Sequence, residues 1–399
     1  MKWEKKKLCE CTEYITDGDH QPAPKADKGV HFIKIKDIVN NQVSFDAQVY
    51  VPQEYYDNLP MERKPQKEDV LYTVVGSFGI PSYVQTDELF CFERNIALLH
   101  PNKDIEPRFL YYSLKNPAFY KGVEIVANGS AQKLIPLSKL KDLKILVPDK
   151  EAQRHIADIL SAYDDLIENN QKQIKLLEEA ARRLYKEWFV DLRFPGHENT
   201  KIVDGVPEGW SVYPFSSKVD IMSGGTPKTS IPDYYNGKIP FYTPKDSDGA
   251  FFAYKTQINI TEGGLKNCNS RLYPPKTVII TARGTVGKTT ILAVPMAMNQ
   301  SCYALKMKEN DAPYYLFFAL NNEIKALQTM ANGGVFNTII GKTFDSINIQ
   351  IPKDPLICGF EKTVRPFMEQ IKNKLQANSK LVEARDRLLP KLMSGEVKV

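Results

Sequence analysis

The sequence predicts an α+β protein: two globular α/β-mixed domains separated by two long antiparallel coiled-coil helices, the whole a pseudo-two-fold internal repeat. Three observations carry this expectation. A heptad stripe runs through residues 151–191. A Pro/Gly-dense connector follows it. The second half of the chain then repeats the first at a nearly fixed offset.

The stripe has two interleaved rows. One is Leu160, Ile167, Ile174, Ala181 and Trp188; the other is Ile156, Tyr163, Asn170, Leu177 and Leu184. Apolar residues repeating every seven on two rows make a seam that another helix must cover, and Asn170 is the polar member of that seam. Some 40 helical residues rise roughly 60 Å, far beyond an average globular helix. The alternative is a long core helix of a bundle, but the flanking sequence has no bundle pattern.

Residues 1–148 are rich in aromatics, Pro and Gly. Val30 to Ile35, Val70 to Val75 and Leu143 to Val147 read as strands, and Arg108 to Leu114, behind Pro107, as a helix start. Pro148 ends the last strand, and the spacer helix occupies 149–194. The connector through Gly196, Gly205, Pro207 and Gly209 opens a second domain, 195–352, with strands at Ile239 to Thr243, Thr277 to Ala282, Ile291 to Val294 and Ile347 to Ile351. A second long helical pattern, Phe360 to Leu392, lies in 353–399.

The halves correspond. Ala127-Asn-Gly-Ser130 matches Ala331-Asn-Gly-Gly334, and Ile145-Leu-Val-Pro148 matches Ile349-Gln-Ile-Pro352, both at an offset of 204. At that offset Ile156, Leu160, Tyr163, Ile167, Leu177 and Leu184 fall on Phe360, Val364, Phe367, Ile371, Leu381 and Leu388. Val70 to Gly76 with Gly79 matches Val278 to Gly284 with Gly287 at an offset of 208, and Ile15-Thr-Asp-Gly18 lies opposite Ile221-Met-Ser-Gly224. Two helices in one chain can cover each other's seams. Antiparallel pairing would give a dumbbell, the symmetry needed to address two separated sites on a duplex.

Composition sets limits. The net charge is +5, with 53 Lys and Arg against 48 Asp and Glu. It is spread evenly: residues 1–148 hold 20 basic and 20 acidic side chains. Any nucleic-acid contact must therefore come from local patches or from partner subunits. No apolar run approaches a membrane span, and the Lys-rich start lacks the apolar core of a secretory signal. The six cysteines are scattered, which fits thiols in a reducing cytosol better than a disulfide or zinc framework.

Catalytic motifs are weak. Arg283-Gly-Thr-Val-Gly-Lys-Thr-Thr290 resembles a phosphate-cradling loop, but Ala282 stands where that pattern needs Gly, and a strand follows rather than a helix. A hairpin turn carrying Arg283 and Lys288 is expected, able to touch phosphates or base edges. No methyltransferase motif, carboxylate-and-lysine nuclease set or shared histidine motif stands out. The Gly-rich loops Asn128 to Lys133 and Asn332 to Asn337 read equally as DNA-contacting amides or as tight turns.

The chain resembles the specificity subunits of type I restriction–modification systems. The resemblance spans essentially the whole chain. It rests on Ile15-Thr-Asp-Gly-Asp-His20, Glu151-Ala-Gln-Arg-His-Ile-Ala-Asp-Ile-Leu-Ser161, Asp164-Asp-Leu-Ile-Glu-Asn169, Leu184-Tyr-Lys-Glu-Trp-Phe-Val-Asp191, Gly205-Val-Pro-Glu-Gly-Trp210 and Gly224-Gly-Thr-Pro227. The C-terminal helix departs from the first, with Lys374 and Arg385 where Asn170 and Ala181 stand.

The resemblance implies two target-recognition domains, each reading one half of a bipartite site on double-stranded DNA. The helices would fix the gap and dock two methyltransferase subunits, with restriction/translocase subunits joining them. S-adenosylmethionine, ATP and magnesium would belong to those partners, this chain binding no cofactor and catalysing nothing by itself, in the cytoplasm and away from membranes. Expected DNA contacts, all on polar loops, are Lys25, Lys28, Ser77, Arg94, Gln132 and Lys133 in the first domain. In the second they are Thr226, Lys228, Lys245, Arg283, Lys288, Asn332 and Asn337. Rival readings are a two-headed protein scaffold and a standalone nuclease or methyltransferase.

Overall fold

The computed structural model describes residues 3–20, 22–39, 41–127, 133–284, 286–330, 339 and 341–399. It divides into two compact units, Met1–Glu168 with Lys380–Val399, and Asn169–Ser379. Compactness thus cuts across the linear segments: each unit holds one globular domain and a stretch of both long helices.

In the first unit, β1 (Glu4–Lys7) leads to β2 (Thr12–Asp17), β3 (Val30–Ile33), β4 (Tyr50–Val51), β5 (Val70–Thr73), β6 (Pro81–Tyr83), β7 (Phe90–Phe92) and β8 (Ile96–Pro101). Helices α1 (Pro107–Lys115), α2 (Pro117–Val126) and α3 (Leu137–Asp142) follow, then β9 (Lys144–Val147) and the long helix α4 (Lys150–Tyr185). The main sheet has the order β2-β8-β5-β6. A smaller sheet runs β4-β3-β7, and β1 pairs with β9. Val70, Leu71, Tyr72 and Thr73 are all buried, as a central strand covered on both faces requires.

The second unit repeats the plan. Its strands are β10 (Ser211–Pro214), β11 (Val219–Ser223), β12 (Tyr235–Tyr242), β13 (Phe252–Ala253), β14 (Val278–Thr281), β15 (Thr289–Leu292), β16 (Ala297–Met298) and β17 (Cys302–Met307). Then come α5 (Pro313–Met330), β18 (Asn348–Ile351) and α6 (Asp354–Met393). The main sheet is β11-β17-β14-β15-β13, the first unit's order with one strand added, and β10 pairs with β18 as β1 does with β9. In each unit the second sheet contains one parallel pair, β3 with β7 and β12 with β16.

The helices pair antiparallel. In the second unit Asn170 meets Asn378 while Trp188 packs edge-on against Phe360. Ile174, Ala181, Tyr185 and Phe189 share a core with Ile357, Phe360, Val364, Met368 and Ile371. In the first unit Ile156, Ala157 and Leu160 share a core with Leu389, Leu392 and Met393. On α4 the expected seam residues Ile156, Leu160, Ile167, Asn170 and Ile174 are buried, and Tyr163, Leu177 and Leu184 half-buried. On α6 one row holds at Val364 and Ile371. The other sits one position later: Met368 and Leu389 are buried, while Phe367, Leu381 and Leu388 are only half-buried. Buried Phe360, Val364, Met368 and Ile371 follow the i, i+4, i+8, i+11 spacing of one face of a 3.6-residue helix rather than a strict heptad.

Polar groups interrupt the seam. Asn170 Nδ2 donates to Asn378 Oδ1 at 2.8 Å, and Lys374 Nζ to Asn170 Oδ1 at 3.5 Å. In the first unit Arg385 donates to Asp164, which also accepts from the Tyr112 hydroxyl at 2.7 Å and lies 3.7 Å from Lys115 Nζ. Burial lowers the Lys115 pKa. Hydrogen-bonded polar groups inside an apolar seam are satisfied in one register and stranded by a slip.

Candidate nucleic-acid interface

The loops at one end of each main sheet are built on the same hydrogen-bonded frame. In the first unit the Val74 amide donates to Asn95 O (2.9 Å), Glu93 to Ile33 O (3.0 Å), Gly79 to Thr73 O (2.8 Å) and Ile135 to Val74 O (2.9 Å). In the second unit Ala282 donates to Ser301 O (2.7 Å), Asn299 to Tyr242 O (3.0 Å), Gly287 to Thr281 O (2.9 Å) and Ile339 to Ala282 O (2.9 Å). The β5–β6 and β14–β15 hairpins match in backbone conformation as well. Gly76 and Gly79 have φ of 70° and 84°, Gly284 and Gly287 of 78° and 82°. These left-handed values select glycine at both positions of both turns.

Glycine also closes the approach of β2 and β11. A Cβ on Gly18 would lie 2.2 Å from Phe92 O, and one on Gly224 2.3 Å from Asn299 O. The repeated Ile-x-x-Gly motif is therefore a packing requirement that brings the following loop beside the β7–β8 or β16–β17 turn.

Several expected contact residues converge on this end. In the first unit Ser77 and Lys133 are joined through Gly76, whose amide donates to Lys133 O at 3.2 Å, and Lys133 Nζ lies 5.4 Å over the Phe78 ring. Arg94 is exposed on the adjacent β7–β8 turn. In the second unit Thr226 donates its hydroxyl to Gln300 on the β16–β17 turn. Arg283 and Lys245 are exposed on neighbouring loops, where a Cβ on Gly284 would stand 3.6 Å from Pro244.

Lys288 belongs to a different surface. Together with Arg182, Lys186, Phe251 and Phe317 it lines a cleft of about 430 Å³. Arg182 sits 4.7 Å over the Phe251 ring. Arg182 and Lys186 also lie near Glu178 and Asp191; three basic side chains around one cleft suit a phosphate.

Lys25 and Lys28 are exposed on the β2–β3 loop, tied to β4 through the Ala26–Tyr50 bridge; no hydrogen bond links them to the converging loops among the described residues. Lys228 is exposed just beyond Thr226. Gln132, Asn332 and Asn337 lie outside the described residues. Gln300 was not among the expected contacts. The signal was present, since Arg94 and Gln300 share the offset of 206 that relates Gly18 to Gly224.

The hairpin expected at Arg283 to Lys288 is there: β14 and β15 pair antiparallel across it. Among the described residues no group of three or more His, Cys, Asp or Glu is placed to hold a metal ion, and no helix is long and apolar enough to cross a membrane.

Comparison with known proteins agrees with this arrangement. The sequence model of the type I restriction modification DNA specificity domain, Methylase_S, matches residues 1–179 and 207–378. The type I restriction enzyme MjaIX specificity subunit of Methanocaldococcus jannaschii is 29% identical over 314 residues, covering 77% of this chain and 72% of that protein. The HindI specificity subunit of Haemophilus influenzae is 25% identical over 438 residues, covering 92% and 94%. The crystal structure of a type I restriction–modification S subunit from M. genitalium shares the fold, with a TM-score of 0.63 at 18% identity over 98% of this chain and 96% of that one. Two matches to one domain model, in a chain built as two copies of one unit, place this protein in the type I restriction–modification DNA specificity family.

Proposed function

We propose that this chain is the DNA-sequence-reading subunit of a type I restriction–modification complex, each globular domain reading one half of a bipartite target and the paired helices setting the gap. The observation that carries the reading is the duplicated loop frame. The same backbone hydrogen bonds recur in both units, while the exposed polar tips differ: Ser77 and Arg94 in one, Arg283 and Gln300 in the other. A constant frame with changed tips suits two heads that bind the same kind of ligand and discriminate different versions of it. Phosphate contacts come from Lys133, Lys245 and the Arg182–Lys186–Lys288 cleft, and base contacts from the turn tips.

The partners are two methyltransferase subunits and, with them, restriction/translocase subunits. S-adenosylmethionine, ATP and magnesium act in those subunits. The docking face is placed on α4 around Leu176, which lies two positions past the buried Ile174 and is 66% exposed. An exposed leucine on a charged helix, outside the seam, suits a protein contact.

The test is selection from a randomised duplex library by the chain with its methyltransferase partner, at about 50 mM salt. Enrichment of two short sequences at a fixed separation, with affinity falling steeply as salt rises, is expected. Partner binding without sequence enrichment would instead establish the two-headed scaffold.

A further inference from the structure

The DNA-reading function proposed above does not say which side chain reads which base; the correspondence of the two units narrows this. The β7–β8 and β16–β17 turns are one structure built twice. Each is closed by an i to i+3 hydrogen bond, Ile96 N to Glu93 O at 3.1 Å and Cys302 N to Asn299 O at 3.3 Å. Each is pinned to the central strand by its third residue, Asn95 or Ser301, whose carbonyl accepts from Val74 or Ala282.

The side chain of the first residue and the carbonyls of the first and third residues of each turn are occupied within the fold. Glu93 Oε1 accepts from the Ile35 amide at 2.8 Å. Asn299 Oδ1 accepts from the Ser301 amide at 3.0 Å. The second residue of each turn is the most exposed of its described neighbours: Arg94 in the first unit, Gln300 in the second, with the residues on either side half-buried. Arg94 makes no hydrogen bond or ion pair among the described residues. The nearby carboxylates are already engaged, Asp17 by His20 and Asp19 by Tyr55 and Arg63.

Gln300 is held from one side by the Thr226 hydroxyl, which donates to Oε1. An amide oxygen has two lone pairs, so the remaining one and both Nε2 hydrogens of this exposed residue have no partner among the described residues. Arg and Gln are among the side chains that pair bidentately with single bases in the major groove: guanidinium with guanine O6 and N7, carboxamide with adenine N6 and N7.

We infer that Arg94 and Gln300 are equivalent specificity-determining residues, Arg94 selecting guanine in one half-site and Gln300 adenine at the corresponding position of the other. Thr226 is a positioning residue that orients the Gln300 amide. The inference rests on the DNA-reading function.

The experiment compares Arg94→Gln and Gln300→Arg with the unaltered chain, each assembled with the methyltransferase partner, by selection from the randomised duplex library. With Arg94→Gln, one base pair of one half-site should change from guanine to adenine preference, by about 5- to 150-fold, with every other position unchanged. Gln300→Arg should make the reverse change in the other half-site. Thr226→Val should weaken the preference at the Gln300 position without changing the base.

Variants that keep the original target, or lose affinity uniformly at all positions as a phosphate contact would, overturn the inference. Where a swap fails to fold, Arg94→Ala or Gln300→Ala carries the test, through loss or retention of preference at a single base pair. If the unaltered complex enriches no bipartite sequence, the reading function falls first; if it does and the swaps change nothing, only the assignment of Arg94 and Gln300 falls.

Discussion

Glu361 gives the most quantitative test of the second unit. It stands on α6, is 5% exposed, and its Oε1 accepts from the Tyr314 and Tyr315 amides, at 2.9 and 2.8 Å, in the first turn of α5. A carboxylate at a helix N-terminus is favoured by those amides, and Arg365 on its own helix adds to this. Burial outweighs them: desolvation, helped slightly by Asp311, raises the Glu361 pKa to about 7 from 4.5. Because the folded value exceeds the unfolded one, the folded state binds the extra proton. The contribution is fully present below about pH 4.5 and is lost as pH rises through 7.

At about 1.36 kcal/mol per unit, that loss is of the order of 3 kcal/mol. Glu361→Gln keeps an oxygen for both amides and removes the buried charge. It should therefore stabilise the second unit at pH 8 by about 1–3 kcal/mol and be close to neutral at pH 5. Denaturant unfolding at both pH values reads this through Trp188 and Trp210, both in the second unit. Equal destabilisation by Glu361→Gln at pH 5 and pH 8 would refute the reasoning, since the charge would then be part of what holds α5 to α6.

Four further outcomes are expected. Asp164→Ala removes the acceptor of the Tyr112 hydroxyl and one of the two carboxylates that hold Arg385, and leaves Lys115 only the Tyr111 hydroxyl; it should cost about 2–4 kcal/mol in the first unit, and a double-mutant cycle with Arg385→Met should show coupling of about 1 kcal/mol or more. Asn170→Leu combined with Asn378→Leu should leave stability equal or higher while loosening register, seen as more than one species in size-exclusion chromatography. Gly79→Ala should cost about 2–4 kcal/mol by thermal melting, because its Cβ meets the Tyr120 ring at 2.5 Å as well as a φ of +84°; Gly196→Ala, with φ +88° and open space, should cost only about 1 kcal/mol. Leu176→Asp should weaken methyltransferase binding, measured by titration calorimetry, and leave chain stability within about 0.5 kcal/mol.

The architecture was legible because repetition and heptad spacing are one-dimensional signals. Val70 to Gly79 and Val278 to Gly287 share turn glycines for one reason, a hairpin with two left-handed positions, and that requirement is written directly in residue identity. The seam on α4 was legible for the same reason as far as Ala181; beyond it Tyr185 and Phe189 are buried and the expected Leu184 and Trp188 are half-buried. The seam on α6 was legible in one row only: Phe367 and Met368 are both apolar, and whether the helix keeps a heptad or a straight 3.6-residue face decides which of them is buried.

The proposed contact surface was less legible. Arg94 and Arg283 stood out as basic residues in polar loops, but Gln300 carries no charge, and its turn becomes conspicuous only when laid over the Glu93 to Ile96 turn. Lys288, grouped by sequence with Arg283, faces a cleft with Arg182 and Lys186 from a helix about 100 positions away. By itself, then, the sequence determined the duplicated unit, the two paired helices and the glycines of the turns, because local backbone geometry and hydrophobic period dictate residue type at fixed spacing. The tertiary structure alone decided which polar side chains are used up inside the fold and which are left facing outward, because hydrogen-bond partners such as Glu93 with Ile35, or Thr226 with Gln300, are distant in the chain and meet only when the strands are assembled.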